Sequence, residues 1–106
     1  MTNMSSIQNE LEMYITKIND KNFGLLGLYI RLFIRAKNQR FSQLDESDRE
    51  KLFKILHPIL RKIEQHRRTL KNIKSSNLPP YTKSFRNKIF KDLNRLIKEY
   101  MAYLNY

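Results

Sequence analysis

The sequence predicts an all-α bundle of four or five helices, and three observations lead to it. Apolar residues recur at spacings of three and four in each periodic stretch. No stretch alternates with period two, and no internal repeat or low-complexity tract competes. The stretch from Lys51 to Lys74 shows the pattern most fully: at about 100° per residue, Leu52, Leu56, Ile59, Ile63 and Leu70 gather on one side, and Lys54, Arg61 and Arg68 line the other. With 106 residues, 41% hydrophobic and 11% aromatic, the chain suits one folded domain spanning residues 1–106. A domain of this size buries roughly 60 to 70% of its unfolded surface.

The first predicted helix runs from about Ser6 to Asn19, with Ile7, Leu11, Ile15 and Ile18 on one face. Asp20, Lys21 and Asn22 break it, and Phe23 leads into a second helix that reaches about Asn38. Around Leu25–Ile34 apolar side chains nearly encircle that helix, leaving a narrow strip of Arg31, Arg35 and Asn38, so it is expected to be the most buried of the set. Gly24 and Gly27 near its start would let another helix come close.

The periodicity lapses from Gln39 to Glu46. Ser47 with Glu50 then forms a predicted capping box, and Asp48 suits the positive end of the helix dipole. Pro58 falls inside the pattern that follows, removing a backbone donor and crowding the carbonyl four residues earlier, so a kink or break is expected near His57. Lys74–Tyr81, with Ser75, Ser76, Asn77, Pro79 and Pro80, reads as a connector. Thr82 or Ser84 is expected to cap a last helix extending to about Leu104. There Phe85, Ile89, Leu93, Leu96, Tyr100 and Leu104 share a face opposite Lys88, Lys91, Arg95 and Lys98.

The net charge of +11 points to an anionic partner, nucleic acid before an acidic membrane surface. It is unevenly placed. Residues 1–48 hold six Lys/Arg and six Asp/Glu, whereas residues 49–106 hold fifteen against four and supply the whole excess. The first half is therefore expected to be a neutral packing or partner half, and the second a basic half that faces nucleic acid.

The chain has no cysteine, which excludes a disulfide framework, a thiolate zinc site and a cysteine nucleophile, and leans towards the cytoplasm. No segment reads as a signal peptide. The longest apolar run, Phe23–Ile34, is interrupted by Arg31 and falls short of the roughly 20 residues of a membrane span. Its apolar residues also encircle the helix, unlike a membrane-surface helix.

Candidate chemistry then narrows to the basic rows. Cations three and four apart on a helix rise about 5 to 6 Å between successive members, a spacing that follows a phosphate backbone. Lys54, Arg61, Arg68 and Lys71 on one helix and Lys88, Lys91, Arg95 and Lys98 on the other are the candidate nucleic-acid-binding residues, with few interleaved acids. Such contacts hold backbone without reading sequence, and do not separate RNA from DNA. The plainer alternative is a solvated face that keeps a small protein soluble.

Arg61 and His66, four residues between them, resemble the motif of HEPN-type ribonucleases, in which histidine would act as general acid/base and arginine would hold phosphate charge. Lys62 stands where that family usually has Asn, His or Asp. On a regular helix the two side chains diverge by about 140°, which sends Arg61 outward and His66 to the core edge. No catalytic residue is assigned. His57 reads as a kink or surface histidine. With two histidines and no cysteine, neither a metal site nor a cofactor is expected. Tyr100, Tyr103 and Tyr106 read as core plus a frayed end rather than as base-stacking platforms.

An all-helical chain of this length with a neutral and a basic half resembles the small subunits of CRISPR RNA-guided surveillance complexes of the Cascade and Csm/Cmr types. The resemblance rests on the helix around Leu25–Ile34 and on the Lys54/Arg61/Arg68 and Lys88/Lys91/Arg95 rows. It implies a non-enzymatic subunit, present in several copies along a guide-RNA filament, that holds target or displaced strand, or an RNA/DNA hybrid, by its backbone. Its protein partners would be other subunits of the complex, copies of itself among them; no membrane or small molecule is implied. Two alternatives come from other classes: a HEPN-like ribonuclease or toxin, and a protein-interaction adaptor of antitoxin or immunity type.

Overall fold

The computed structural model describes residues 18–76 and 81–104. Within them the chain forms a short 3₁₀ turn, Phe23–Leu25, followed by three α-helices: α1 (Leu26–Phe41), α2 (Glu46–Ser76) and α3 (Tyr81–Leu104). No strand occurs among the described residues. The fold is all-α, and the helix count among the described residues is three rather than four or five. The helix predicted over 6–19 lies outside them, apart from Ile18 and Asn19.

The longest helix sets the shape. Thirty-one residues of α2 rise about 46 Å, close to the 50 Å long axis of the molecule. Only four residues separate α2 from α3, and the two helices make the most extensive contact in the molecule, an antiparallel hairpin against which α1 packs. Leu52, Leu56, Leu60, Ile63, Leu70 and Ile73 of α2 meet Ile89, Phe90, Leu93, Leu96, Ile97, Tyr100 and Leu104 of α3 in one buried cluster. Leu26, Tyr29, Ile30, Leu32, Phe33 and Ala36 of α1 complete it.

The expected inner faces hold with two shifts. Leu60 is buried, while Ile59 only packs against the core's edge. Phe85 is 49% exposed, because the core face of α3 begins at Ile89, one turn later. Tilted ring contacts lock the interior, Phe33 against Tyr100 at 5.1 Å and Phe23 against Phe90 at 6.0 Å. Burial pushes the Tyr29 and Tyr100 hydroxyls above their ordinary pKa.

Helix α1 is not buried all round. Leu28 is 49% exposed and Ile34 37%, and Leu25, in the 3₁₀ turn before the helix, is also 49% exposed, because neighbours cover only the side that carries Tyr29, Phe33 and Ala36. Among the described residues no helix backbone approaches the glycines: nothing lies within 4 Å of a side chain placed at Gly24, and the neighbour of Gly27 is the guanidinium of Arg67, a side-chain tip.

The ends of the helices differ from the sequence expectation in instructive ways. α1 runs to Phe41, three residues beyond Asn38. The cap of α2 is Asp45, not Ser47: its Oδ1 accepts the Asp48 backbone N–H at 2.8 Å, and its carbonyl accepts that of Arg49 at 2.9 Å. Ser47 and Glu50 are already inside the helix, whose first turn holds Glu46 and Asp48 at the positive end of the dipole. Thr82 and Ser84 likewise lie within α3, not before it. Pro58 does not break α2, which continues through it. Pro58 and Lys54 both face solvent, so the carbonyl that loses its helical donor stands on the hydrated side.

The chain entering α1 is tied to α3. Asn94 Oδ1 accepts the Ile18 N–H at 2.8 Å while its Nδ2 donates to the Ile18 carbonyl at 3.2 Å, a reciprocal clamp over 76 residues of sequence. Arg86 adds an ion pair to Asp20 at 3.0 Å.

Candidate nucleic-acid interface

Helix phase places every predicted contact residue outward. The core of α2 centres on Leu56 and Ile63, so residues half a turn away face solvent, and Lys54, Arg61, Arg68 and Lys71 are all exposed. The core of α3 centres on Leu93 and Tyr100, and Lys88, Lys91, Arg95 and Lys98 are exposed in the same way.

The two rows do not share one environment. Arg95 is held between two carboxylates on its own helix: its Nη2 donates to Asp92 Oδ1 at 2.7 Å and its Nη1 to Glu99 Oε2. Asp92 in turn gives its other oxygen, Oδ2, to His66 Nε2 at 2.7 Å across the helix boundary. The expectation of few interleaved acids therefore fails at Arg95, whose charge is offset from both sides. The hydrogen bond from His66 is the largest influence holding the Asp92 carboxyl below its ordinary pKa; partial burial opposes it, and Arg95 reinforces it.

This network also settles where the two members of the Arg61/His66 motif stand. Arg61 is exposed, and His66 is half-buried, with its Nε2 occupied by Asp92 between α2 and α3. Among the described residues, His66 does not line the depression that holds Arg61. The pair is thus divided between an outer surface and an interhelical bond.

No ion pair forms on Lys54, Arg61 or Arg68 among the described residues. Arg61 and Arg68, with His57, Pro58, Lys62 and Gln65, line a depression of about 510 Å³ along α2. Sequence reasoning did not place Lys62 or Gln65 there. The legible signal was their spacing, since His57, Arg61 and Gln65 follow one another at four residues, as do Pro58 and Lys62. The same helix stacks Phe53 on His57, ring centroids 4.8 Å apart and planes 20° apart, with Phe53 42% exposed. Among the tyrosines, Tyr100 is fully buried and Tyr103 is 36% exposed; Tyr106 lies outside the described residues.

No helix among the described residues is long and apolar enough to cross a membrane. No family model, curated protein or solved structure matches the chain.

Proposed function

We infer that the chain is a non-enzymatic helical protein that binds nucleic-acid backbone through the outward faces of α2 and α3. One observation supports it above the others: Lys54, Arg61 and Arg68 form an exposed cationic row free of ion pairs among the described residues, beside a depression that adds Lys62. A row offset by neighbouring acids would serve solubility as well; an uncompensated row on a chain of net charge +11 favours a polyanion.

The narrower proposal is a subunit used in several copies within an RNA-guided antiviral complex, holding target or displaced strand while guide pairing supplies sequence specificity. Its support is the resemblance in length, helical class and charge division. Several weak sites fixed along one filament would bind a strand jointly, and the neutral first half would meet protein neighbours.

Binding of a labelled oligonucleotide tests the general proposal. Changing Lys54, Arg61, Lys91 and Arg95 to Glu is expected to remove most of the affinity for single strands and duplex alike, and unchanged affinity would refute backbone contact. Cleavage of RNA by the purified chain, abolished by His66→Ala, would replace it with the ribonuclease alternative.

A further inference from the structure

We propose that α2 carries a single-strand-selective site, in which a nucleobase stacks on the Phe53/His57 ring pair and the adjoining phosphates lie on Arg61, Lys62 and Arg68. This rests on the backbone-binding reading and adds to it the class of strand and the place where a base is held. The first reason is the position of Phe53. It is the one phenylalanine of α2, it is 42% exposed, and one side of its ring is stacked on the imidazole of His57 at 4.8 Å. An aromatic with this much free surface next to cations is a platform for a base, because each base has a π-face and stacking tolerates any sequence.

The second reason is continuity. Phe53, His57 and Arg61 succeed each other at four-residue intervals, a rise of about 6 Å per step, so the ring pair passes directly into the cationic depression. Arg68 stands about 10 Å further along the same helix. A strand lying on α2 would therefore meet an aromatic first and guanidinium and ammonium groups next. Phe41 offers a contrast: it is half-buried, and the Lys37 ammonium already sits 5.8 Å from its ring centroid.

Selectivity follows from access. In a duplex the base faces are covered by their neighbours in the stack, and only the phosphates remain for α2. A single strand can turn a base outward onto the rings, as single-stranded recognition commonly does.

Fluorescence anisotropy with three probes of equal length tests this: a single-stranded oligonucleotide, the same strand made abasic, and a duplex. Phe53→Ala is expected to weaken binding of the base-bearing strand by about tenfold, with abasic and duplex affinities unchanged within about twofold. Phe53→Trp is expected to retain or strengthen strand binding, and circular dichroism melting confirms that both variants fold. A Phe53→Ala loss that is equal for all three probes, or absent for all three, overturns the stacking site and leaves backbone binding intact. A wild-type chain that binds none of the probes overturns both.

Discussion

Between Lys51 and Lys74, α2 has eight Lys or Arg against the single acid Glu64, whereas Tyr81–Leu104 has six against Asp92 and Glu99. The difference is larger in space than in number. On α3, Arg86 is paired with Asp20, and Arg95 is clamped by Asp92 and Glu99. On α2 the outer row Lys54, Arg61 and Arg68 has no such ties among the described residues. Two helices with the same amphipathic plan thus differ in how far their outer charges are paired. The outer surface of α3 is partly consumed in holding the bundle together, through Asp20 on one side and His66 on the other. The outer surface of α2 is left to the solvent, which is where the proposed function seats a polyanion.

Neutralising the two rows separately gives the largest expected effect. Lys54, Arg61 and Arg68 changed together to Gln should weaken single-strand binding more than about tenfold at about 50 mM salt. The matching change of Lys88, Lys91 and Arg95 should cost several-fold less, because Arg95 is already compensated. Equal losses, read by anisotropy, would erase the distinction between the helices.

Removing the compensation should act in the opposite direction. Asp92→Ala deprives Arg95 of one of its two carboxylates and leaves His66 without its partner. Strand affinity is expected to rise two- to threefold, on the order of a single added phosphate contact. Stability should fall by about 1 kcal/mol or less, the worth of a partly exposed pair, seen as a drop of a few degrees in thermal midpoint. A variant that lost both stability and affinity would mean that Asp92 organises the binding surface instead of restraining it.

The same carboxylate gives a pH signature with a definite sign. Asp92 is held below the ordinary range chiefly by the His66 hydrogen bond, so the folded chain releases its proton more readily than the unfolded chain. Its contribution is complete above the unfolded value of about 4 and disappears as pH falls through the lower folded value. Acid unfolding followed by circular dichroism should show wild type losing stability in that window more steeply than Asp92→Asn.

The smallest effect belongs to the inner face. The Tyr100 hydroxyl is buried with no hydrogen-bond partner among the described residues, so Tyr100→Phe should leave stability unchanged or raise it by up to about 1 kcal/mol. Strand affinity should stay the same, since the change touches neither row.

Much of this architecture was legible in the sequence because a 3.6-residue period reports which side of a helix is apolar. Leu52, Leu56, Ile63, Leu93 and Tyr100 fall where the period puts them, and all eight candidate cations face outward. The departures have a common physical origin in neighbours that a wheel does not contain. Leu28 and Ile34 read as core until the bundle leaves that side of α1 uncovered. The Asp45 cap went unseen because Ser47 with Glu50 offers an equally good local pattern, and the backbone turn after Phe41 decides between them. Arg95 read as a strand contact, although Asp92 and Glu99 at spacings of three and four already signalled its pairing. The His66 bond to Asp92 spans 26 residues and two helices, beyond any local pattern.

The salt dependence of strand binding tests the central claim most directly. If the α2 row holds phosphates, the logarithm of affinity should fall linearly with that of salt concentration. Replacing Lys54, Arg61 and Arg68 by Gln should then reduce the magnitude of that slope by about 2, from about 0.7 per phosphate contact on a single strand. An unchanged slope in the folded variant would contradict the assignment of backbone binding to this face of α2.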